Sequence, residues 1–145
     1  MNFDIYIITP SFNAGETIVE TIESIISQNT QFNIRYHIQD GLSTDSTCAI
    51  LRSYEEKLRN SERIAFSWIS QKDRGMYDAV NTAVNMLSIP ANALMGWINA
   101  DDILARGCLE RLRQVSETLP QVQWMGGRAT IADMQWKHIH LTRTP

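Results

Sequence analysis

Carboxylates close several apolar runs of this sequence. Asp101 and Asp102 come two residues after Ala93-Leu94-Met95-Gly96-Trp97-Ile98, and Asp40 ends the run Ile34-Arg35-Tyr36-His37-Ile38-Gln39. A further carboxylate, Asp73, stands in the polar stretch that follows Ile64-Ala65-Phe66-Ser67-Trp68-Ile69. Carboxylate oxygens are hard ligands, and one or two of them hold Mg2+ or Mn2+ while leaving positions open for phosphate oxygens and water. The plainer reading makes Asp101 or Asp102 the cap of a helix beginning near Ile103, because Asp accepts the free amides of a first helical turn. Asp40, at the end of another run, weighs against the cap.

The elements that position these residues follow from periodicity. Phe3-Asp4-Ile5-Tyr6-Ile7-Ile8 is a β-branched and aromatic run, predicted as a strand that proline stops at Thr9-Pro10-Ser11. Ile18, Val19, Ile22, Ile25 and Ile26 then recur with the one-face spacing of an amphipathic helix. The same order repeats. Ile34, Tyr36 and Ile38 alternate on a second strand, and Ile50, Leu51, Tyr54 and Leu58 mark a second helix. Residues 64–69 form a third strand, followed by a helical stripe at Met76, Val80, Ala83, Val84 and Leu87. Residues 93–98 form a fourth strand, and Leu109, Leu112, Val115 and Leu119 a fourth helix. Beyond Pro120 the pattern is shorter and β-like, around residues 122–125 and 129–131. Alternation at this spacing predicts an α/β fold: an open, mainly parallel, doubly wound, Rossmann-like sheet with helices on both faces. In such sheets ligands bind outside the carboxyl ends of the strands, where the loops converge.

The 145 residues are the size of one domain, so a single domain over 1–145 is the expectation. Lys and Arg number 13 against 16 Asp and Glu, without a basic stripe, so duplex nucleic acid is not the expected partner. Cys48 and Cys108 have no second cysteine nearby, which suggests neither a zinc knuckle nor a redox pair and fits a reducing compartment. No charged-then-apolar leader opens the chain, and its apolar stretches are too short to span a bilayer. No Gly-x-Gly-x-x-Gly follows the first strand and no Gly-x-x-x-x-Gly-Lys-Ser/Thr occurs, which disfavours a dinucleotide dehydrogenase or a P-loop phosphotransferase.

Four stretches in order resemble the family 2 glycosyltransferases with the GT-A fold. They are Ile8-Thr9-Pro10-Ser11-Phe12-Asn13, Gln39-Asp40-Gly41-Leu42-Ser43-Thr44-Asp45-Ser46-Thr47, Asp73-Arg74-Gly75-Met76-Tyr77-Asp78-Ala79-Val80-Asn81 and Trp97-Ile98-Asn99-Ala100-Asp101-Asp102. The resemblance covers residues 3 to about 115 and looks closest to members that build cell-surface polysaccharides. It implies an inverting transfer of a sugar from a nucleoside diphosphate donor, UDP-linked by preference, to a hydroxyl of a glycan or lipid-linked acceptor. Thr9, Pro10, Ser11 and Asn13 would border the nucleoside, Asp40 would accept from uracil N3–H, and the segment from Asp73 through Gly75 to Asn81 would close over the donor. Asp101 would hold Mn2+ or Mg2+ as the end of a D-x-D motif. Asn99 stands where many members carry the first Asp. It keeps a hydrogen-bonding role but brings no charge, which shifts part of the metal to Asp102.

The general base of such a transfer lies in a later segment of the family and is expected beyond Pro145, so the chain reads as the donor-binding part of a longer catalytic unit. Two rivals stand beside this reading. A binding module would hold the nucleotide sugar without turnover, and a sugar nucleotidyltransferase would want a basic, Gly-rich loop after the first strand, where Thr9 to Gly15 has no Lys or Arg. The expected place of work is the cytoplasm, at the inner face of the membrane through peripheral association. Other residues carry plainer expectations. Asp45 should start the second helix. Tyr77 and Asp78 stand between a structural and a binding role. His37, His138 and His140 should be solvated strand positions, and Trp68, Trp97 and Trp124 core.

Overall fold

The computed structural model describes residues 4–91, 93–127, 130–132 and 138–141, the last two segments as backbone alone. β1 (Asp4–Ser11), α1 (Ile18–Ile26), β2 (Asn33–Asp40), α2 (Thr47–Leu58), β3 (Ile64–Ser70), α3 (Met76–Leu87) and β4 (Leu94–Trp97) alternate as predicted. α4 (Cys108–Thr118) follows, and then the short strands β5 (Thr130–Ala132) and β6 (His138–Leu141). β1 to β4 form one sheet in the order β3-β2-β1-β4 with every pairing parallel. The chain divides into two compact units, Met1–Arg111 and Leu112–Pro145.

β1 and the second half of β2 are covered on both faces, which buries His37 and Gln39 of β2 although that strand alternates in sequence. α2 lies on the face of Ser11 and Asp40, which Cys48 of that helix approaches. α1 is joined to α2 by the Tyr54 hydroxyl, which donates to Glu23 at 2.6 Å. Ile18, Ile22 and Ile25 of α1 and Leu51 of α2 are buried. α3 packs on the opposite face, where Val80 and Ala83 meet Ile8.

Four expectations change. β1 runs through Pro10 to Ser11 instead of stopping before it. The Ile8 carbonyl accepts from Ile98 on the β4 side, and the Ser11 carbonyl accepts from Gly41 on the β2 side. Position 10 therefore shares the β4-facing parity of Ile8, beyond the last β4 pair at Ile8 and Trp97, so the missing N–H of proline leaves no ladder bond broken. Residues 122–125 form no strand, whereas the β-like stretch expected at 129–131 falls on β5, which pairs antiparallel with β6.

His37 is buried, not solvated, because β2 is an interior strand with both faces covered. Its Nδ1 lies 2.9 Å from Ser67 Oγ, and burial lowers its pKa against the opposing effect of Gln39. The tryptophans are not core: Trp124 is 78% exposed, Trp97 on β4 is 42% exposed, and Trp68 is half-buried beneath Arg52 with its Nε1 donating to Glu55. His138 and His140 fall on β6, outside the described side chains.

Candidate functional site

Parallel strands bring their C-terminal ends to one edge of the sheet. The chain leaves β1 toward β2 but later returns to the other side of β1 to lay down β4. Loops that depart in opposite directions open a crevice between them. A cleft of about 740 Å3 lies at this edge. It is lined by Pro10, Ser11, Phe12, Asn13, Ala14, Glu16 and Thr17 from the end of β1 and the loop after it, and by Asn99, Ala100 and Asp101 after β4, the two groups meeting where Thr17 Oγ1 donates to the Ala100 carbonyl. Gly41 and Asp45 come from the loop after β2, and Asp73, Gly75, Met76 and Ala79 from the loop after β3 and the start of α3.

The β1 and β2 loops are stitched into one plate. Asn13 takes a left-handed backbone (φ 48°), and its amide donates to Ser43 Oγ at 2.8 Å while its Oδ1 accepts from the Thr44 amide at 2.9 Å. The Ala14 amide donates to Thr47 Oγ1, and the Gly15 amide to Asp45 Oδ2. Asp45 also accepts from the Thr47 amide and hydroxyl, so it does start α2, and these bonds lower its pKa. A left-handed Asn is inexpensive because its short amide side chain bonds locally.

Asp40 is the hub behind this plate. Its side chain has no exposure, and it is absent from the cleft wall. Ser11 Oγ and Ser43 Oγ donate to Oδ1 at 3.0 and 2.5 Å, and the Ser43 amide and Ser70 Oγ donate to Oδ2 at 2.9 and 2.6 Å. Burial alone would raise the carboxyl pKa, but the bonds from Ser43, Ser70 and Ser11 outweigh it and the net shift is downward. A nucleobase donor could reach this carboxylate only by displacing a serine hydroxyl. Ser11 is the one of these serines that also lines the cleft.

Two glycines permit this geometry. Gly75 has φ 115° where the chain turns into α3, a conformation L side chains rarely adopt, and its amide donates to Asp73 Oδ1 at 2.8 Å. A Cβ on Gly41 would stand 2.7 Å from Asp73 Oδ2. Gly41→Ala should therefore push the flexible Asp73 carboxylate off the cleft wall while leaving stability within about 0.5 kcal/mol. Nucleotide affinity is expected to change several-fold with the thermal midpoint nearly constant; calorimetry and a melt on the same variant check both.

Asp101 cannot cap α4, which starts at Cys108 after Gly107 in a left-handed conformation (φ 75°). Instead residues 99–102 form a turn in which the Asp102 amide donates to the Asn99 carbonyl at 3.1 Å. Successive residues of that turn point apart. Asp101 faces the cleft, whereas Asp102 is not on its wall and accepts from Asn99 Nδ2 at 3.1 Å. Asn99 Oδ1 is a buried acceptor without a partner in the cleft wall.

Thus the structure brings together Pro10, Ser11, Asn13, Asp73, Gly75, Asn99 and Asp101. Thr9 is buried beneath the wall with Oγ1 3.0 Å from Tyr36 OH, and Asn81 is exposed on α3 away from the cleft. Asp78 pairs with Arg74 at 2.7 Å, and neither it nor Tyr77 lines the cleft. Phe12, Glu16, Thr17, Met76 and Ala79 were not singled out from the sequence as wall residues. Phe12 is 63% exposed at the cleft and offers a flat apolar face.

Residues 6–143 match the family described as Glycosyl transferase family 2. The chain belongs to that family. No curated protein matches it at a significant level. Among solved structures, S. aureus TarS residues 1–349 is similar at 21% identity and a TM-score of 0.61, over 80% of this chain and 33% of that one. The same fragment in complex with UDP-GlcNAc gives 21% identity and a TM-score of 0.61, over 80% of this chain and 32% of that one. The mannosyltransferase PcManGT from Pyrobaculum calidifontis, in complex with GDP-Man and Mn2+, is similar at 24% identity and a TM-score of 0.59, over 72% and 30% of the two chains. The likeness carries the fold: this family 2 chain has the Rossmann-like sheet of the GT-A type. It spans about a third of the length of these relatives.

The family 2 cleft contains Glu16, Asp45, Asp73 and Asp101, and none of the residues lining it is basic. Among the described residues no three His, Cys, Asp or Glu side chains cluster as a closed metal site. The loop after β4 offers the cleft the Asp101 carboxylate and the unpartnered amide oxygen of Asn99, both hard donors. This donor set fits a Mg2+ or Mn2+ ion that completes its shell with phosphate oxygens and water, and does not fit a self-sufficient protein cage. No described helix is long and apolar enough to cross a membrane.

Proposed function

We propose that this chain binds a nucleoside diphosphate sugar, UDP-linked by preference, together with a divalent cation, as the donor half of an inverting glycosyl transfer to an acceptor hydroxyl in surface polysaccharide synthesis. The observation that carries the reading is the acid-lined cleft at the reversal of strand order, with Asp101, Phe12 and Thr17 all on its wall. A diphosphate entering a cleft with several carboxylates and no basic lining residue needs a counter-cation, and Asp101 with Asn99 Oδ1 would hold it. When bound, such a cation would neutralise the developing charge of the leaving diphosphate. Phe12 would give the base a stacking face, and Ser11 would yield its hold on Asp40 to a base N–H. The nucleotide complexes of TarS and the GDP-Man and Mn2+ complex of PcManGT support a nucleotide-sugar donor at the level of shared fold. The base that deprotonates the acceptor would lie beyond Pro145, and the work would be done at the cytoplasmic face of a membrane.

Titration calorimetry with UDP, CDP and GDP, each with Mn2+, tests the reading. Uracil presents N3–H toward an acceptor where cytosine presents an unprotonated nitrogen, so UDP should bind about tenfold or more tightly than CDP. Equal affinities would remove Asp40 from base recognition. Tighter GDP binding would reassign the donor, and no nucleotide binding at all would overturn the proposal.

A further inference from the structure

The acidic loop after β4 has no regular structure between Asn99 and Cys108, yet its backbone groups are not left to solvent. α1 and the residues at its two ends supply their partners. Thr17 Oγ1 donates to the Ala100 carbonyl at 2.9 Å, Ser24 Oγ accepts from the Leu104 amide at 3.0 Å, and Gln28 Nε2 donates to the Ala105 carbonyl at 3.0 Å. Gln28 Nε2 also donates to the Ser24 carbonyl, and Ser24 Oγ donates to the Thr21 carbonyl, so the two longer contacts brace each other. Thr17 stands at the N-cap of α1 and Gln28 lies just past its end; with Thr21 and Ser24 they advance by four, three and four residues, the spacing of one helical face. That face is polar, and Thr21 and Gln28 on it are nearly inaccessible. Burying such groups is costly unless they are hydrogen-bonded, and Thr21 Oγ1 and Gln28 Oε1 have no partner among the described residues; Thr17, Ser24 and Gln28 Nε2 offset the cost by holding the loop.

What they do is fix Asp101. On the strand side, the Ile98 amide donates to the Ile8 carbonyl at 3.0 Å. On the helix side, Thr17 holds the carbonyl of Ala100, the residue immediately before Asp101. The carboxylate is thereby suspended between a strand end and a helix start, each anchored independently. Thr17 itself lines the cleft.

We propose that the polar stripe of α1, through Thr17, Ser24 and Gln28, is the positioning element of the Asp101 cation site. The inference rests on the donor-site reading above, and assigns these residues a role in cation geometry distinct from any contact with the nucleoside. They are positioning residues, acting through the loop backbone.

The test compares the parent chain with Thr17→Val, Thr17→Ser and Gln28→Met. UDP is titrated into each with Mn2+ and again with EDTA, and the electron paramagnetic resonance of bound Mn2+ is recorded. Val is nearly isosteric with Thr but cannot donate, whereas Ser can. Outer partners of metal ligands typically contribute 10–100-fold in metal affinity. Thr17→Val and Gln28→Met should weaken Mn2+-dependent UDP binding by about tenfold. Both should broaden the Mn2+ spectrum, while Thr17→Ser keeps parental affinity and a parental spectrum. Weakened UDP binding with a parental Mn2+ spectrum would make the stripe merely structural and overturn the inference. So would parental Mn2+-dependent affinity in both Thr17→Val and Gln28→Met. A parent whose UDP affinity is the same in Mn2+ and EDTA would overturn the donor-site reading itself, and this inference with it.

Discussion

UDP and Mn2+ at ten times their joint dissociation constant are expected to stabilise the chain by about 1.4 kcal/mol, by mass action on the native state alone. For a chain of this size that corresponds to a rise in Tm of roughly 3–6 °C. EDTA should erase the rise. Asp101→Ala should erase it too, because the cleft has no basic lining residue to substitute for the lost cation. The unliganded Tm should hardly move, since Asp101 is exposed and its loss creates no cavity. Differential scanning fluorimetry of parent and variant, each with and without Mn2+, decides the matter. A parental rise in Asp101→Ala would show that the charge of the diphosphate is met elsewhere.

The second large effect concerns Asp40 and has the opposite character, costing stability more than binding. Its carboxylate satisfies Ser11, Ser43 and Ser70 at once with no access to water. Asp40→Asn exchanges acceptors for an NH2 group that faces donors, and is expected to cost about 2–4 kcal/mol at pH 7. The pH dependence fixes the cause. Because the folded pKa of Asp40 is depressed below the ordinary 3.8, its contribution is fully present above that value and is lost as pH falls through the folded pKa. Urea unfolding of parent and variant should therefore diverge most above about pH 5 and converge in strong acid. A gap that stays constant down to pH 2 would assign the loss to packing and not to the carboxylate.

Much of this fold was legible because its elements are locally consistent: the strands are apolar runs or, in β2, alternate with period two, and each apolar helix stripe has helical period. What failed to show were features that depend on a second element. His37 alternates with apolar neighbours just as a solvated residue would, and only the covering of both faces of β2 makes it buried. The polar stripe of α1 was invisible to a search for apolar periodicity, although it has the same spacing as the apolar one beside it. Motif reading placed Asp101, Asn99, Asp73 and Ser11 on the cleft, because loops after parallel strands converge whatever their sequence. It could not foresee that Thr9 and Asp40 would sit one layer behind the wall, nor that the turn at residues 99–102 would send Asp102 away from Asp101. Asn81 was grouped with its motif, yet a helix rotates its residues away from a site within a turn or two.

The stitching of residues 13–15 to residues 43–47 bears on how such a domain diverges. Asn13 both donates to Ser43 and accepts from Thr44, while the amides of Ala14 and Gly15 end on Thr47 and Asp45. The two loops are remote in sequence but act as one inherited part: a replacement in one leaves unanswered hydrogen-bonding groups in the other. Transplanting a donor preference between members of this family would therefore require residues 11–15 and 40–47 to travel together as a single graft. The loop after β3 is tied to them more lightly, through the Gln71 amide on the Asp40 carbonyl and the close approach of Asp73 to Gly41.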